Sequence, residues 1–387
     1  MDNLTIQSTT KPIDQFKLNS YVTKRQIYGF GITFSIIAVA CVISNLIMIL
    51  AIIRNRYRNM WTVTNYYIFN MALVDLLTGS IVIPCRTAQF AFLYWFLGRF
   101  LCVIHITVEK LLFCCSIYTL TLMAFARYQA IVNPLNSNYH FKGALWRLGV
   151  IWLLSIASCI PLIIHMPFQV YTLKRPYILS NHDCQPTFRS REESELYLRI
   201  YYALFMFFAF FLPLIIISYC YFKIYQTLRN RKRDSTLKST MKNYSKSIKR
   251  TNRKVIHMLL TITVLFFISW FPHNFSIILL NVAGLNKVWI KSYKDYLSYI
   301  NIGQTGKVLS YLNSCQNFFV CLIFNKSFQD AIADILTLGY YKRTESLFSY
   351  QASNLSSTHR VNDHAELTRN ESLPEKNPLG SDAPTHV

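Results

Sequence analysis

The run IYGFGITFSIIAVACVISNLIMILAII, residues 27–53, contains no charged side chain. A helix needs about 20 apolar residues to cross the hydrocarbon core of a bilayer, so this run decides the solvent in which the chain folds. In lipid every backbone amide must be bonded internally, which leaves only helices and closed barrels. The two-residue alternation of a barrel strand is absent, so a helix is predicted. Six further blocks follow at 65–92, 101–126, 148–167, 198–222, 255–281 and 297–324. With 52% apolar and 15% aromatic residues arranged this way among 387, the expected fold is an all-α membrane protein, a seven-transmembrane helix bundle spanning 27–324.

Orientation follows from the basic residues of the short loops. The 54–63 loop carries Arg54, Arg56 and Arg58 with no acid, and 229–254 carries eleven basic residues against the single Asp234. The 167–195 segment instead balances four basic residues with Asp183, Glu192, Glu193 and Glu195. Odd-numbered crossings therefore end inside, which puts the N-terminus outside and the C-terminus in the cytoplasm; the expected location is the plasma membrane. The net charge of +22 is then positive-inside bias, not a nucleic-acid footprint.

Residues 1–26 are polar and lack an apolar core, so they read as an extracellular tail without a cleavable signal peptide. Asn3 opens a glycosylation sequon there. Residues 325–340 contain KSFQDAIADILTL (326–338), which spaces Phe328, Ile332, Ile335 and Leu336 as an amphipathic helix on the inner membrane face. Residues 341–387, rich in Ser, Thr, Asn, Asp and Glu, read as a disordered cytoplasmic tail. Its end, Thr385-His386-Val387, suits capture by a PDZ-domain protein through strand addition.

Eight of the ten cysteines fall in or at the ends of apolar blocks and act as small hydrophobes. Cys102, at the outer end of the third block, and Cys184, between the fourth and fifth, face the oxidising side. Pairing them would tie that loop across the bundle mouth. No internal repeat suggests a transporter. No Ser/His/Asp, metal or phosphate-loop constellation suggests an enzyme.

Ionisable groups inside membrane helices are costly and usually functional. Here they are Arg86, Asp75, Glu109, Lys110, Arg127 and Lys307. At about 1.5 Å per residue, Glu109 lies about 10 Å inward of Cys102, and Arg127 lies at the cytoplasmic end of the same block.

These positions resemble the rhodopsin-like (class A) G-protein-coupled receptors, in particular neuropeptide receptors. The resemblance spans about 27–338. It rests on Ser44-Asn45, Met71-Ala72-Leu73-Val74-Asp75, Trp95-Phe96-Leu97-Gly98 before Cys102, and Ala126-Arg127-Tyr128. Trp152, Pro213 with Tyr221, Phe266 with Ser269-Trp270-Phe271-Pro272, Asn313-Ser314, Asn317 and Asn325-Lys326-Ser327-Phe328 complete it.

The resemblance implies a cell-surface receptor, most simply for a peptide, that signals through a heterotrimeric G protein when the inner ends of helices five and six rearrange. Arrestin would engage the tail. Arg127, Tyr128, Tyr221 and Lys254 would face the G protein. Asn45, Asp75, Ser116, Asn313 and Asn317 would converge on a sodium ion, with Asp75 and Ser116 as its metal ligands; the alternative is a satisfied polar network without an ion. Trp270 would move when ligand binds. Arg86, His105, Asn274 and the segment around Asp183–Gln185 are further ligand-contact candidates. Glu109 and Tyr311 would hold a cationic ligand group, unless Glu109 pairs internally with Lys307. An opsin is disfavoured, because the position of the retinal lysine is Tyr311.

Two departures from the family pattern stand out. Arg127 lacks its acidic neighbour, since residue 126 is Ala, and the sixth-helix acid is replaced by Asn252. The family's Asn-Pro-x-x-Tyr reads Asn317-Phe318-Phe319-Val320-Cys321. The first departure predicts raised basal activity and the second predicts weakened coupling. A scavenging seven-helix receptor with little G-protein activation therefore remains the alternative.

Overall fold

The computed structural model describes residues 12–54, 62–92, 97–133, 141–165, 168–175, 178–186, 191–234, 242–279 and 293–337. Asn3, Trp95, Phe96, the tail and Thr385–Val387 lie outside them. The chain divides into two compact units, Met1–Ala331 and Ile332–Val387. The seven spans belong to the first.

Helix α1 runs Pro12–Arg54. Helix α2 runs Val63–Leu77, through a π-helical turn at Thr78–Val82, to Ile83–Phe92. Helices α3 (Gly98–Val132) and α4 (Phe141–His165) follow. Helix α5 is Arg191–Met206, a second π turn at Phe207–Phe211, and Leu212–Asp234. Helices α6 (Lys242–Ile277), α7 (Tyr293–Phe324) and α8 (Lys326–Leu336) complete the set. Between α4 and α5 lies an antiparallel hairpin, β1 (Phe168–Arg175) and β2 (Ile178–Pro186), with Val170 opposite Cys184. The strand-like reading of Asp183–Gln185 falls inside β2.

The seven-helix expectation holds, with longer helices than the apolar blocks. Helix α1 starts at Pro12, not at 27. Pro suits a first helical turn, and residues 13–26 contain no further Gly or Pro to stop the helix. The basic 229–254 stretch, expected as a loop, is helical at both ends, through Asp234 and again from Lys242. Lys and Arg are good helix formers, and nothing requires a helix to end at the membrane surface.

Helix α1 shows how the bundle is partitioned. Ile32, Ile36, Val39, Ile43, Leu46 and Leu50 are exposed, while Phe34, Cys41, Asn45 and Met48 are buried. Outward apolar residues with an amide on the inward face invert the water-soluble pattern and fit lipid as the outer solvent. Among the described residues, six helices are long and apolar enough to cross a membrane, and α7 is not one of them. Its interior face carries Lys307, Asn313, Ser314 and Asn317, all buried, whereas Ile302, Leu309, Leu312, Phe319 and Ile323 point outward. The polarity that lowers its apolar content is the polarity of the site.

Packing joins α1 to α2 and α7, α2 to α4, α3 to α2, α4 and α5, and α6 to α7, with the hairpin against α3. The α6–α7 contact is close because Gly306 has no side chain: a Cβ there would meet the His273 backbone nitrogen at 3.0 Å. At the head of α3, Gly98 has φ +74°, a left-handed conformation that favours glycine. Both π turns re-aim a helix at a locally awkward point. The second ends two residues before Pro213, whose ring nitrogen has no hydrogen to donate.

Candidate functional site

Three layers of polar side chains run down the bundle interior. In the outer layer Lys307 of α7 is ion-paired with Glu109 of α3, the two side chains being 10% and 11% exposed. The Tyr311 hydroxyl donates to the same Glu109 Oε1 at 2.9 Å. Of the two arrangements open to Glu109, the structure has the internal pair. The expected Glu109–Tyr311 partnership also forms, though around Lys307 instead of a ligand cation. One ammonium and one hydroxyl already answer the carboxylate. Removing either member of such a buried pair is costly, because it leaves an uncompensated charge.

Around this pair stand the other ligand-contact candidates. Arg86 of α2 donates from Nη1 to Gln89 at 3.0 Å. His105 of α3 and Asn274 of α6 are buried. Lys110, one residue after Glu109, turns toward α5, with its ammonium 5.7 Å from the Tyr202 ring centre and 5.3 Å from that of Phe205. Cation–π attraction is the interaction such an arrangement provides.

Below lies Trp270. Its ring sits 4.5 Å from Phe113 and 6.0 Å from Phe266, centre to centre. It is two residues before Pro272, which lies inside α6. A narrow cavity passes its edge, lined by Glu109 and Tyr311 above and by Asp75, Ser116, Asn313 and Ser314 below.

The middle layer centres on Asp75, which is 2% exposed. Asn317 donates to Asp75 Oδ2 at 2.7 Å. Asn45 instead donates to the Ser314 carbonyl at 2.8 Å and the Cys41 carbonyl at 2.9 Å. Of the five residues expected around a sodium ion, Asp75, Ser116 and Asn313 line the cavity. Asn317 turns its amide N–H to the Asp75 carboxylate, and Asn45 turns its own to backbone carbonyls. The carboxylate, hydroxyl and amide oxygens of the first three form a hard-oxygen donor set, which fits a small hard cation. Beside this layer Trp152 donates to Asn70 at 3.0 Å and Asn70 to Thr119 at 2.9 Å, tying α4, α2 and α3.

At the cytoplasmic layer Arg127 donates to the Thr64 hydroxyl of α2. Its Nε is buried without a hydrogen-bond partner. Tyr128 and Tyr221 pack on a small cluster of Ile131, Ile224 and Ile256, and Lys254 is exposed on α6. The side chain of Asn252 lies outside the described residues. Where the family has proline, Phe318 makes an edge contact with Phe328 of α8, 6.1 Å between ring centres. The Asn325 side chain caps α8 by accepting from the Phe328 amide at 3.3 Å.

Cys102 is disulfide-bonded. Cys184 lies on β2, and its side chain is outside the described set. Thr64 escaped sequence reasoning because it is an ordinary threonine 63 residues from Arg127. The only signal was its place directly before the second apolar block.

Residues 44–320 match the sequence profile of the 7 transmembrane receptor (rhodopsin family). The chain is 28% identical over 327 residues to neuropeptide FF receptor 2 of Rattus norvegicus, covering 82% of this chain and 75% of that one. It is 30% identical over 263 residues to galanin receptor type 1 of Mus musculus, covering 65% and 69%. The crystal structure of squid rhodopsin superposes with a TM-score of 0.67 at 19% identity, covering 81% of this chain and 86% of that one. That last likeness concerns the fold alone.

Proposed function

The chain belongs to the rhodopsin family of seven-transmembrane receptors; proceeding from that membership, we propose that its extracellular ligand is a peptide. It is a multi-pass membrane receptor that signals through G proteins, and it is not an enzyme. The peptide reading is supported by the names of the relatives above, a neuropeptide FF receptor and a galanin receptor.

One observation carries the mechanism: Trp270, its ring tilted against Phe113, lies between the Glu109–Lys307 layer and the Asp75 layer along one cavity. A ligand that rearranges the outer layer displaces Trp270, and the displacement acts on α6 at Pro272. The inner ends of α5 and α6 then part from Arg127, opening a surface that includes Tyr128, Tyr221 and Lys254 to the G protein. Only differential contacts in the two packings drive such a shift. Within the same reading, Cys102 pairs with Cys184, a sodium ion occupies the Asp75–Ser116–Asn313 cavity and favours the closed packing, and Asn3 carries glycan. Arrestin binds the phosphorylated tail, and a PDZ-domain protein captures Thr385–Val387.

The test is a screen of secreted peptides against cells expressing the receptor, read as nucleotide exchange on the G protein. At least one peptide is expected to accelerate exchange. Peptides that are internalised while exchange stays flat would favour the scavenging reading, which the Phe318 and Cys321 departures keep in view.

A further inference from the structure

We propose that the outer half of the bundle recognises a carboxylate of its ligand, with Lys110 and Arg86 as the anchoring cations, and not a cationic group at Glu109. The proposal deepens the receptor reading above by naming the charge of the group that enters the site.

The first ground is charge. The described acids, lysines and arginines there are Arg86 from α2, Glu109 and Lys110 from α3, and Lys307 from α7, with the buried imidazoles of His105 and His273 beside them. Glu109 is answered twice, by Lys307 and by the Tyr311 hydroxyl. A ligand ammonium would have to displace Lys307 and leave it buried without a counter-charge. Arg86 and Lys110 are otherwise placed. Among the described contacts Arg86 donates to the neutral side chain of Gln89 and Lys110 faces two rings; with Lys307, three cations there stand against one carboxylate. The fields of both act on Glu109 and on Lys307 alike, so a second negative group entering there is attracted by the excess of cations over the one carboxylate.

The second ground is hydrogen bonding, and it points the same way. Arg86 Nε, Trp270 Nε1 and Asn274 Nδ2 are buried donors without an acceptor. Buried donors are normally satisfied, so three in one region call for an explanation. Two amide oxygens, Gln304 Oε1 and Gln316 Oε1, are also left unpaired, fewer than the three unanswered donors. A carboxylate brings two oxygens that accept and cannot donate, and an arginine can grip it from two nitrogens. The rings of Tyr202 and Phe205 beside Lys110 disfavour a strongly hydrated, doubly charged phosphate and suit an organic acid with an apolar neighbour. A peptide's terminal carboxylate and a small free organic acid share this chemistry.

The receptor in lipid nanodiscs is melted while titrated with four probes. These are N-acetyl-phenylalanine, its neutral amide, a pentapeptide ending in free-acid phenylalanine, and the same peptide amidated. Ligands that bind only the folded state raise Tm. The acids are expected to raise Tm at concentrations at least tenfold below those of their amides. Lys110→Gln and Arg86→Gln each abolish that preference, while Lys110→Arg retains it. Preference for the pentapeptide acid over acetyl-phenylalanine assigns the carboxylate to a peptide terminus, and the reverse assigns it to a small acid. Equal shifts for acid and amide, no shift with any probe, or a preference for the amides that Glu109→Gln removes would overturn the proposal. The readout is occupancy, so a silent exchange assay leaves it untouched, and a failed melt leaves the receptor reading standing.

Discussion

The outer and cytoplasmic ends of α3 each bury a charged residue, and the two are answered differently. Glu109 meets an opposite charge, Lys307, on a helix 198 residues away in sequence. Arg127 meets a neutral hydroxyl, that of Thr64. Truncating one member of a buried ion pair costs about 3–5 kcal/mol, while a hydrogen bond to a charged group contributes about 1.5–3 kcal/mol. The outer end is therefore held firmly and the inner end lightly. In the proposed opening toward the cytoplasm, the weaker restraint is the one released.

The largest expected effect belongs to the strong end. Lys307→Met should lower stability by about 3–5 kcal/mol, read as a fall in Tm in detergent. The double variant Glu109→Gln/Lys307→Met should recover much of the loss. A double variant as unstable as the single one would show that packing, not charge, holds the pair.

At the weak end, Thr64→Val removes the described acceptor of Arg127. Basal nucleotide exchange should rise by about tenfold, the shift that a 1.4 kcal/mol change produces, and Thr64→Ser should restore it. An unchanged basal rate would mean that the hydroxyl does not restrain the inner end.

Gly306 sharpens the contrast from within the strong end, because it directly precedes Lys307. In Gly306→Ala the new methyl would press on the His273 backbone at 3.0 Å, an overpacking that costs about 1–3 kcal/mol. Lower Tm with unchanged basal exchange is expected; a rise in basal exchange would tie the α6–α7 spacing to the inner opening.

The smallest effect is that of Ala126→Asp, which gives Arg127 the acid it lacks. A partly exposed pair contributes about 0–1 kcal/mol, so basal exchange should fall by less than about fivefold. A larger fall would show that Thr64 holds Arg127 poorly.

Much of this architecture was legible in the chain. Apolar run lengths, the basic loops and the intramembrane charges of Asp75, Glu109, Arg127 and Lys307 give the spans and the residues that matter. The choice between a ligand contact and an internal pair for Glu109 was not legible, because it depends on the rotation of α7 relative to α3. Sequence spacing leaves that angle free. The orientation of Asn45 and Asn317 was not legible for a related reason: an amide offers both an oxygen and an N–H, and only the fold decides that Asn317 turns its N–H to Asp75 while Asn45 turns its own to backbone carbonyls. The π turns at Thr78–Val82 and Phe207–Phe211 insert one residue into a helix without any obligatory residue type. The hairpin was visible only as extended character around Asp183–Gln185, since its pairing partner β1 carries no turn motif that fixes the register.

The burial of the thiols has a practical consequence. Of the eight free cysteines among the described residues, Cys41, Cys114, Cys115, Cys159, Cys220, Cys315 and Cys321 are buried, and Cys85 is partly accessible. A fluorophore attached at Lys254→Cys in a Cys85→Ser background would therefore meet little competing label. Emission from that single position at the foot of α6 would follow its outward swing in real time, without any knowledge of the natural agonist.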